Sequence, residues 1–200
     1  KKFEEIIVGN TNLYDDYQNF GSKITISNGI HKESQFVENK NVGDQEMLTI
    51  GWTGTPDREM KGYRSIIEPA IKELQGEGLK IKLKTKFSGS YDELLSFYQD
   101  IDVVCIASSA DTGPSLFAEA SLSKVPSIST KIGFPKMIIQ NGENGIFVGR
   151  DKEEMKSAIK KLYQDRDLLK SFSMRIKEDY LEKLNNQKSV NNLKRLLHEI

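Results

Sequence analysis

"DVVCIASSADTGPSLFAEA" (residues 102–120) runs from an apolar segment, through small and polar residues, into a helix-forming one. Val103, Val104, Cys105 and Ile106 give no alternation between apolar and polar positions. That pattern suits a strand buried on both faces, as in a parallel sheet. Pro114 is placed to be the first helical residue with Gly113 as its cap. The N–H groups of Ser115 and Leu116 would then point out of the helix end, where the helix dipole favours an anion. Two carboxylates, Asp111 and Glu119, bracket this start. Two readings are open for them: a cap and a surface helix residue, or two groups accepting hydrogen bonds from ligand hydroxyls.

Outward from this stretch, short strand candidates alternate with helical patterns. The strands are "KITIS" (23–27), "MLTIGWT" (47–53), "LKIKLKT" (79–85), "PSIST" (126–130) and "GIFV" (145–148). Between them, Tyr63, Ile66, Ile67, Ala70, Ile71 and Leu74 form one helical stripe. Pro69 interrupts it and is expected to kink or loosen its first turns, having no N–H to donate. Further helices are expected at 91–99, from Pro114 to Ser123, and at 135–140. "DKEE" pairs Asp151 as N-cap with Glu154 in a capping box, and Met155, Ala158, Ile159 and Leu162 follow as a buried face. Amphipathic helices then fill 165–184 and 188–200. "VENKNVGDQ" (37–45) reads as a polar loop, and "SNG" (27–29) as a linker more than a hairpin turn.

Strands alternating with helices imply βαβ units and right-handed crossovers. The fold expected is α/β, a doubly wound Rossmann-like parallel sheet with trailing C-terminal helices. The domain boundaries expected are 1–22 as a linker or the end of another domain, 23–164 as the sheet domain, and 165–200 as the closing helices.

Composition removes several function classes. Lys+Arg and Asp+Glu both number 29, so nothing global favours nucleic acid or an anionic membrane. Cys105 stands alone, so no internal disulfide forms, and within its apolar run it reads as a small buried hydrophobe. With His31 and His198 far apart, no zinc-type cluster assembles. No stretch approaches the length of a membrane span.

In an open parallel sheet, ligands bind beyond the carboxyl ends of the strands. Three segments fall there. "GWTGTPDREMKG" (51–62) offers Gly51 and Gly54 for a close backbone turn and Lys61, at the start of the next helix, as a point charge for phosphate. It carries neither a Walker motif nor GxGxxG. Asp111–Glu119 is the second segment. The third, "TKIGFPKMIIQNGENGIFV" (130–148), has Gly133 and Pro135 opening another helix at the same edge.

These segments, in this order, resemble the C-terminal donor-binding half of GT-B glycosyltransferases, and most closely the retaining family 4. "DTGPSLFAEASLSKVPSISTKIGFPKMIIQNGENGIFV" follows that family's Glu, seven residues, Glu pattern and its later glycine turns. "KITISNGIHKESQF" resembles its interdomain linker, and "IGWTGTPDREMKGYRSIIEPAIKEL" its phosphate-contacting loop. The resemblance implies transfer of a sugar from a nucleotide diphosphate sugar, UDP- or GDP-linked, to an acceptor hydroxyl on a glycan, lipid or protein. It implies Glu119 on the ribose, Asp111 on the donor sugar, the Gly113, Pro114, Ser115 and Leu116 backbone near the diphosphate, and Lys61 on the diphosphate. Gly54, Thr55 and Arg58 belong to the same loop. It implies no cofactor and no metal, a facing N-terminal domain that holds the acceptor, and a cytoplasmic location, at the inner membrane face if that domain docks there.

This chain departs from the family pattern at several positions. Asp111 is one methylene shorter than the usual Glu. Thr55 stands where an Arg is usual, with Arg58 the nearest substitute. Lys136 replaces a third Glu, and Phe134 a Gly. These substitutions keep a second reading open, a non-catalytic GT-B-like module or partner subunit. A receiver-type or flavodoxin-like domain is disfavoured, because neither an acidic cluster after the first strand nor a Ser/Thr-rich flavin loop is present.

Overall fold

A computed structural model describes residues 5–20, 23–26, 33–88, 90–184, 190–191 and 194–195. The expected linker turn at 27–29 lies outside the described residues, as does most of the expected helix over 188–200.

Two parallel sheets form. β1 (Glu5–Val8) and β2 (Lys23–Ile26) flank α1 (Thr11–Tyr17) and, among the described residues, pair only with each other. The larger sheet holds β3 (Leu48–Thr53), β4 (Ile81–Lys86), β5 (Val103–Ile106), β6 (Ser127–Ser129) and β7 (Gly145–Phe147) in the order β4-β3-β5-β6-β7, every neighbouring pair parallel. All four β5 residues are buried, so both faces of the sheet are covered there, as the apolar run predicts. The strand expected at 23–27 therefore forms, but outside the main sheet.

The helices are α2 (Glu68–Gly76), α3 (Tyr91–Phe97), α4 (Ser115–Leu122), α5 (Gly133–Ile138), α6 (Lys152–Gln164) and α7 (Arg166–Lys183). α2 packs on α6, and α7 on α4, α5 and α6. Phe117 of α4 meets Tyr180 of α7 with ring centroids 6.2 Å apart. The stripe from Tyr63 to Leu74 is buried throughout. Its first turn is wide: Tyr63–Ile67 is a π-helix, with the Ile66 and Ile67 N–H groups both on the Gly62 carbonyl at 3.0 and 3.1 Å. Pro69 is the cause that chemistry offers, since it cannot donate to the Ser65 carbonyl and its ring would crowd it.

Two caps differ in detail from expectation. Asp151 accepts from the Glu153 and Glu154 N–H groups at 2.8 and 2.9 Å, but the Glu154 carboxylate reaches back to the N–H of Gly149, at 2.6 Å. α4 starts at Ser115 with Pro114 as its N-cap, at ψ 120°, so Gly113 lies outside the helix and Pro114 is not its first residue.

At the amino edge of the sheet, the polar loop 37–45 is exposed over most of its length but pinned at Asn39 and Gly43. Buried Asp102 accepts from the N–H groups of Gly43 and Thr49, each at 2.7 Å, and burial raises its pKa. Asn39 donates to the Ile101 carbonyl at 2.8 Å. Replacing Asp102 with Ala strands two N–H groups, and the Asp102→Ala variant is expected to lose roughly 2–4 kcal/mol in urea denaturation. Retention of wild-type stability would show that water replaces the carboxylate without cost.

Candidate functional site

The order β4-β3-β5 sends the chain from β3 to one side and brings it back on the other. The loops that follow β3 and β5 therefore diverge at the carboxyl edge and leave a crevice between them. The β3 loop runs through Gly54 to a 3-10 turn, Glu59–Lys61, that ends on Gly62. Lys61 thus ends the 3-10 turn, two positions ahead of the π-turn, and does not begin a helix. Gly51, expected in the loop, lies within β3, where a Cβ would meet Ile101 at 2.8 Å. Gly54, at φ +139°, makes the turn.

The two loops touch before they diverge. Gly62 has φ +67°, and a Cβ built there would lie 2.6 Å from the Ala107 carbonyl oxygen. The Ser109 N–H donates to the Met60 carbonyl at 2.9 Å, and Lys61 Nζ lies 2.5 Å from Asp111 Oδ2. Arg150, beyond β7, holds the same turn through the Glu59 carbonyl (2.5 Å) and carboxylate (3.1 Å).

A cavity of about 230 Å³ lies between the loops. Gly54, Thr55, Arg58, Lys61, Pro114, Ser115 and Leu116 line it with Trp52, Thr53, Ile106 and Ser108. Seven residues expected from the sequence are thereby brought together. Pro114 accepts from the Phe117 and Ala118 N–H groups, whereas those of Ser115 and Leu116 have no partner among the described residues. Two N–H groups at a helix start, with Arg58 and Lys61 opposite, make this cavity receptive to an anion.

A second cavity, about 400 Å³, adjoins the first and shares Thr53 and Ser115 with it. It is lined by Glu119 and by Lys86, Phe87, Ser88, Ser90 and Leu94. Glu119 is not the surface helix residue of the simpler reading: it is 6% exposed. Burial raises its pKa, and a hydrogen bond from the Tyr98 hydroxyl, 2.7 Å from Oε2, acts the other way. Phe87 is half exposed and stands edge-on to buried Trp52 and Tyr63, with centroids 6.1 and 5.9 Å away.

Asp111 falls in neither cavity. It lines a third, about 460 Å³, with Met60, Lys131 and, from the amino-terminal unit, Asn10, Leu13 and Asp16. Its Oδ1 accepts from the Gly113 N–H at 3.1 Å, and its Oδ2 holds Lys61. Asn10 ties the amino-terminal unit to this loop by donating to the Thr112 carbonyl at 2.7 Å. Gly113 is packed under the Phe134 ring, 2.4 Å from an added Cβ, and lines none of the three cavities. The helix expected at 135–140 runs instead over Gly133–Ile138, and none of Gly133–Lys136 reaches them either. Tyr98, Phe87 and Arg150 escaped sequence reasoning. Tyr98 was legible only as the buried side of the 91–99 helix, and nothing local paired it with Glu119. Among the described residues, no group of three or more His, Cys, Asp or Glu is placed to hold a metal ion. No helix among them is long and apolar enough to cross a membrane.

Fold and crevice together define a doubly wound α/β ligand-binding domain with an anion-receptive edge. The family described as Glycosyl transferases group 1 matches residues 67–179, more than half of the sequence. The chain belongs to that family. Its fold is that of the C-terminal half of a GT-B glycosyltransferase. It is similar to TarM of S. aureus (17% identity, TM-score 0.80, 98% of this chain and 43% of that one). It is also similar to HepE of Anabaena, crystallised with UDP and glucose (12% identity, TM-score 0.76, 98% and 63%). The C-terminal domain of LpcC, a glycosyl transferase group 1 protein of Francisella tularensis, matches at 23% identity and TM-score 0.59, over 78% of this chain and 98% of that domain. No curated protein sequence matches. The chain spans 43% of the TarM chain and 63% of the HepE chain.

The contact at Gly62 is testable without a ligand. A Gly62→Ala variant must relieve a 2.6 Å overlap in a left-handed backbone position. It should lose roughly 2–4 kcal/mol in thermal or urea unfolding. An unchanged melting temperature would mean that the loops are not held against each other.

Proposed function

We propose that this chain is the donor-binding domain of a retaining, family-4-like glycosyltransferase of hexosyltransferase type. It would move a sugar from a UDP- or GDP-linked donor to an acceptor hydroxyl. The observation that carries the reading is the adjoining pair of cavities: one presents cations and a helix start, the other a buried carboxylate. A nucleoside diphosphate has the matching parts, a polyanion joined to a diol.

In this reading the diphosphate lies in the smaller cavity, on the Ser115 and Leu116 N–H groups, Lys61 and Arg58. These groups take up the charge that develops as the sugar–phosphate bond breaks, a role fixed dipoles and cations fill in a water-poor cleft. Gly54 and Thr55 let the loop backbone approach, and Pro114 sets the helix start. Glu119 accepts from the ribose hydroxyls, and the base lies toward Phe87. Asp111 faces the third cavity, where the donor sugar would project. It meets the sugar only as the diphosphate takes over part of Lys61. No metal or cofactor enters the scheme.

The amino-terminal unit belongs, in this proposal, to the end of the facing acceptor domain. β2 pairs with β1 and not with the main sheet, which supports, within this proposal, extending the amino-terminal unit from residue 22 to Ile26. Residues up to 164 then form the donor domain, and 165–200 close it. A protein made of both domains would work in the cytoplasm or at the inner membrane face. A donor domain by itself would turn over nothing, since the wall that excludes water comes from the facing domain.

The Lys61–Asp111 pair and Thr55 in the loop favour a second reading, a non-catalytic partner module, because they leave fewer free cations. Calorimetric titration with UDP and GDP separates the two. One of them is expected to bind with a Kd between about 10 μM and 1 mM, and Lys61→Ala to weaken it by about tenfold. Absence of binding by both nucleotides would contradict the enzyme reading.

A further inference from the structure

The buried carboxylate of Glu119 is held from one side only. Tyr98, fully buried in the 3-10 turn Tyr98–Asp100 that follows α3, donates its hydroxyl proton to Oε2 at 2.7 Å. The other oxygen, Oε1, has no partner among the described residues, yet it is not among the buried polar atoms left without one. It therefore opens on the cavity that Glu119 lines. Tyr98 itself lines none of the three cavities, so it would not touch a bound nucleotide.

We propose that Tyr98 is a positioning residue for nucleotide binding: by fixing Oε2 it presents Oε1 to the ribose hydroxyls. This rests on the nucleotide-sugar reading given above. A free carboxylate on a helix would sample several rotamers, and choosing one costs entropy on binding. Here that choice is made in advance by a hydroxyl from another element, 21 residues away in the sequence. The bond also prefers one charge state. A hydroxyl that donates to a carboxylate stabilises its ionised form, against the burial that disfavours it. Tyr98 thus favours Glu119 as an ionised acceptor, the state that ribose hydroxyls need.

Other groups face Glu119 as well. Tyr180 of α7 is buried close enough to feel its charge, which with burial raises the pKa of that phenol and keeps it neutral. Lys86, at the end of β4, lines the same cavity but is held by Glu93 at 2.5 Å. Tyr98 is the hydroxyl among them that bonds Glu119 directly.

The sign follows. Losing the Tyr98 hydroxyl removes a bond to the charged form, so the Glu119 pKa rises further and recognition of the ribose fails at a higher pH than in the wild type. The readout is the preference for UDP over 2′,3′-dideoxy-UDP, or for GDP over its dideoxy analogue, measured by calorimetry from pH 5 to pH 9. The wild type should prefer the hydroxylated nucleotide, and lose that preference as the pH falls. In Tyr98→Phe the midpoint of the loss should move up by about one pH unit, a tenfold change in proton affinity, with the preference restored at the alkaline end. Glu119→Gln, which keeps an amide acceptor but no titrating carboxyl, should show a weaker preference that does not change with pH.

The proposal is overturned if Tyr98→Phe superimposes on the wild type, or if its preference falls equally at every pH, as a structural defect would make it. A second measurement needs only the wild type: titration of the Glu119 side-chain carboxyl by ¹³C NMR should share the midpoint of the preference profile, and disagreement between the two overturns the proposal. The failures are distinguishable. If Glu119→Gln keeps the full preference, Glu119 does not hold the ribose, and the assignment beneath the proposal falls. If neither UDP nor GDP binds the wild type, the glycosyltransferase reading falls, and this proposal with it.

Discussion

The close approach of the Gly62 backbone to the Ala107 carbonyl lets the loops after β3 and β5 meet at the carboxyl edge of the sheet. Strand order alone makes a gap between β3 and β5, but a gap between two loose loops would have no fixed walls. Gly62 removes the side chain that would keep the loops apart, and its left-handed backbone ends the 3-10 turn where Lys61 must stand. The Ser109–Met60 hydrogen bond and the Arg150–Glu59 clamp add to that contact. Lys61, the residue before Gly62, lines the smaller cavity.

Charges near this edge are arranged in opposition. Lys61 is shared between a cavity that would receive an anion and a carboxylate, Asp111, that already pairs with it. Such a pair keeps the lysine oriented while the site is empty, at the cost of competing with the ligand for it. Glu119 is the reverse case, a carboxylate withdrawn from cations and held by a neutral hydroxyl. A buried charge persists only with hydrogen-bond donors. Tyr98 supplies one, and a diol would supply more. The two carboxylates of the motif are therefore not equivalent: one is tied to a cation, the other to a neutral hydroxyl.

Much of the architecture was legible because it rests on periodicity. The unbroken apolar run at Val103–Ile106 marked a covered parallel strand, and the stripe from Tyr63 to Leu74 marked a buried helix face. Asp151 announced its helix by local capping chemistry. What escaped depended on contacts between distant residues. The π-turn ahead of α2 was foreshadowed by Pro69 only as a kink. That β2 joins β1 instead of the main sheet is a pairing decision, invisible in the five residues of "KITIS". At the site, the spacing of Asp111 and Glu119 was readable, but burial of Glu119 and its Tyr98 donor were not. Gly113 looked like a cap, because Pro114 after it suits the first position of a helix. Its space is instead taken by the Phe134 ring.

If the crevice between the β3 and β5 loops receives a nucleoside diphosphate, amide chemical-shift mapping of the isotopically labelled chain during titration with UDP and GDP will show the largest perturbations at Gly54, Thr55, Lys61, Ser115 and Leu116, with a second group at Phe87 and Glu119. Perturbations confined to the opposite edge of the sheet, around Asn39, Thr49 and Asp102, would contradict it.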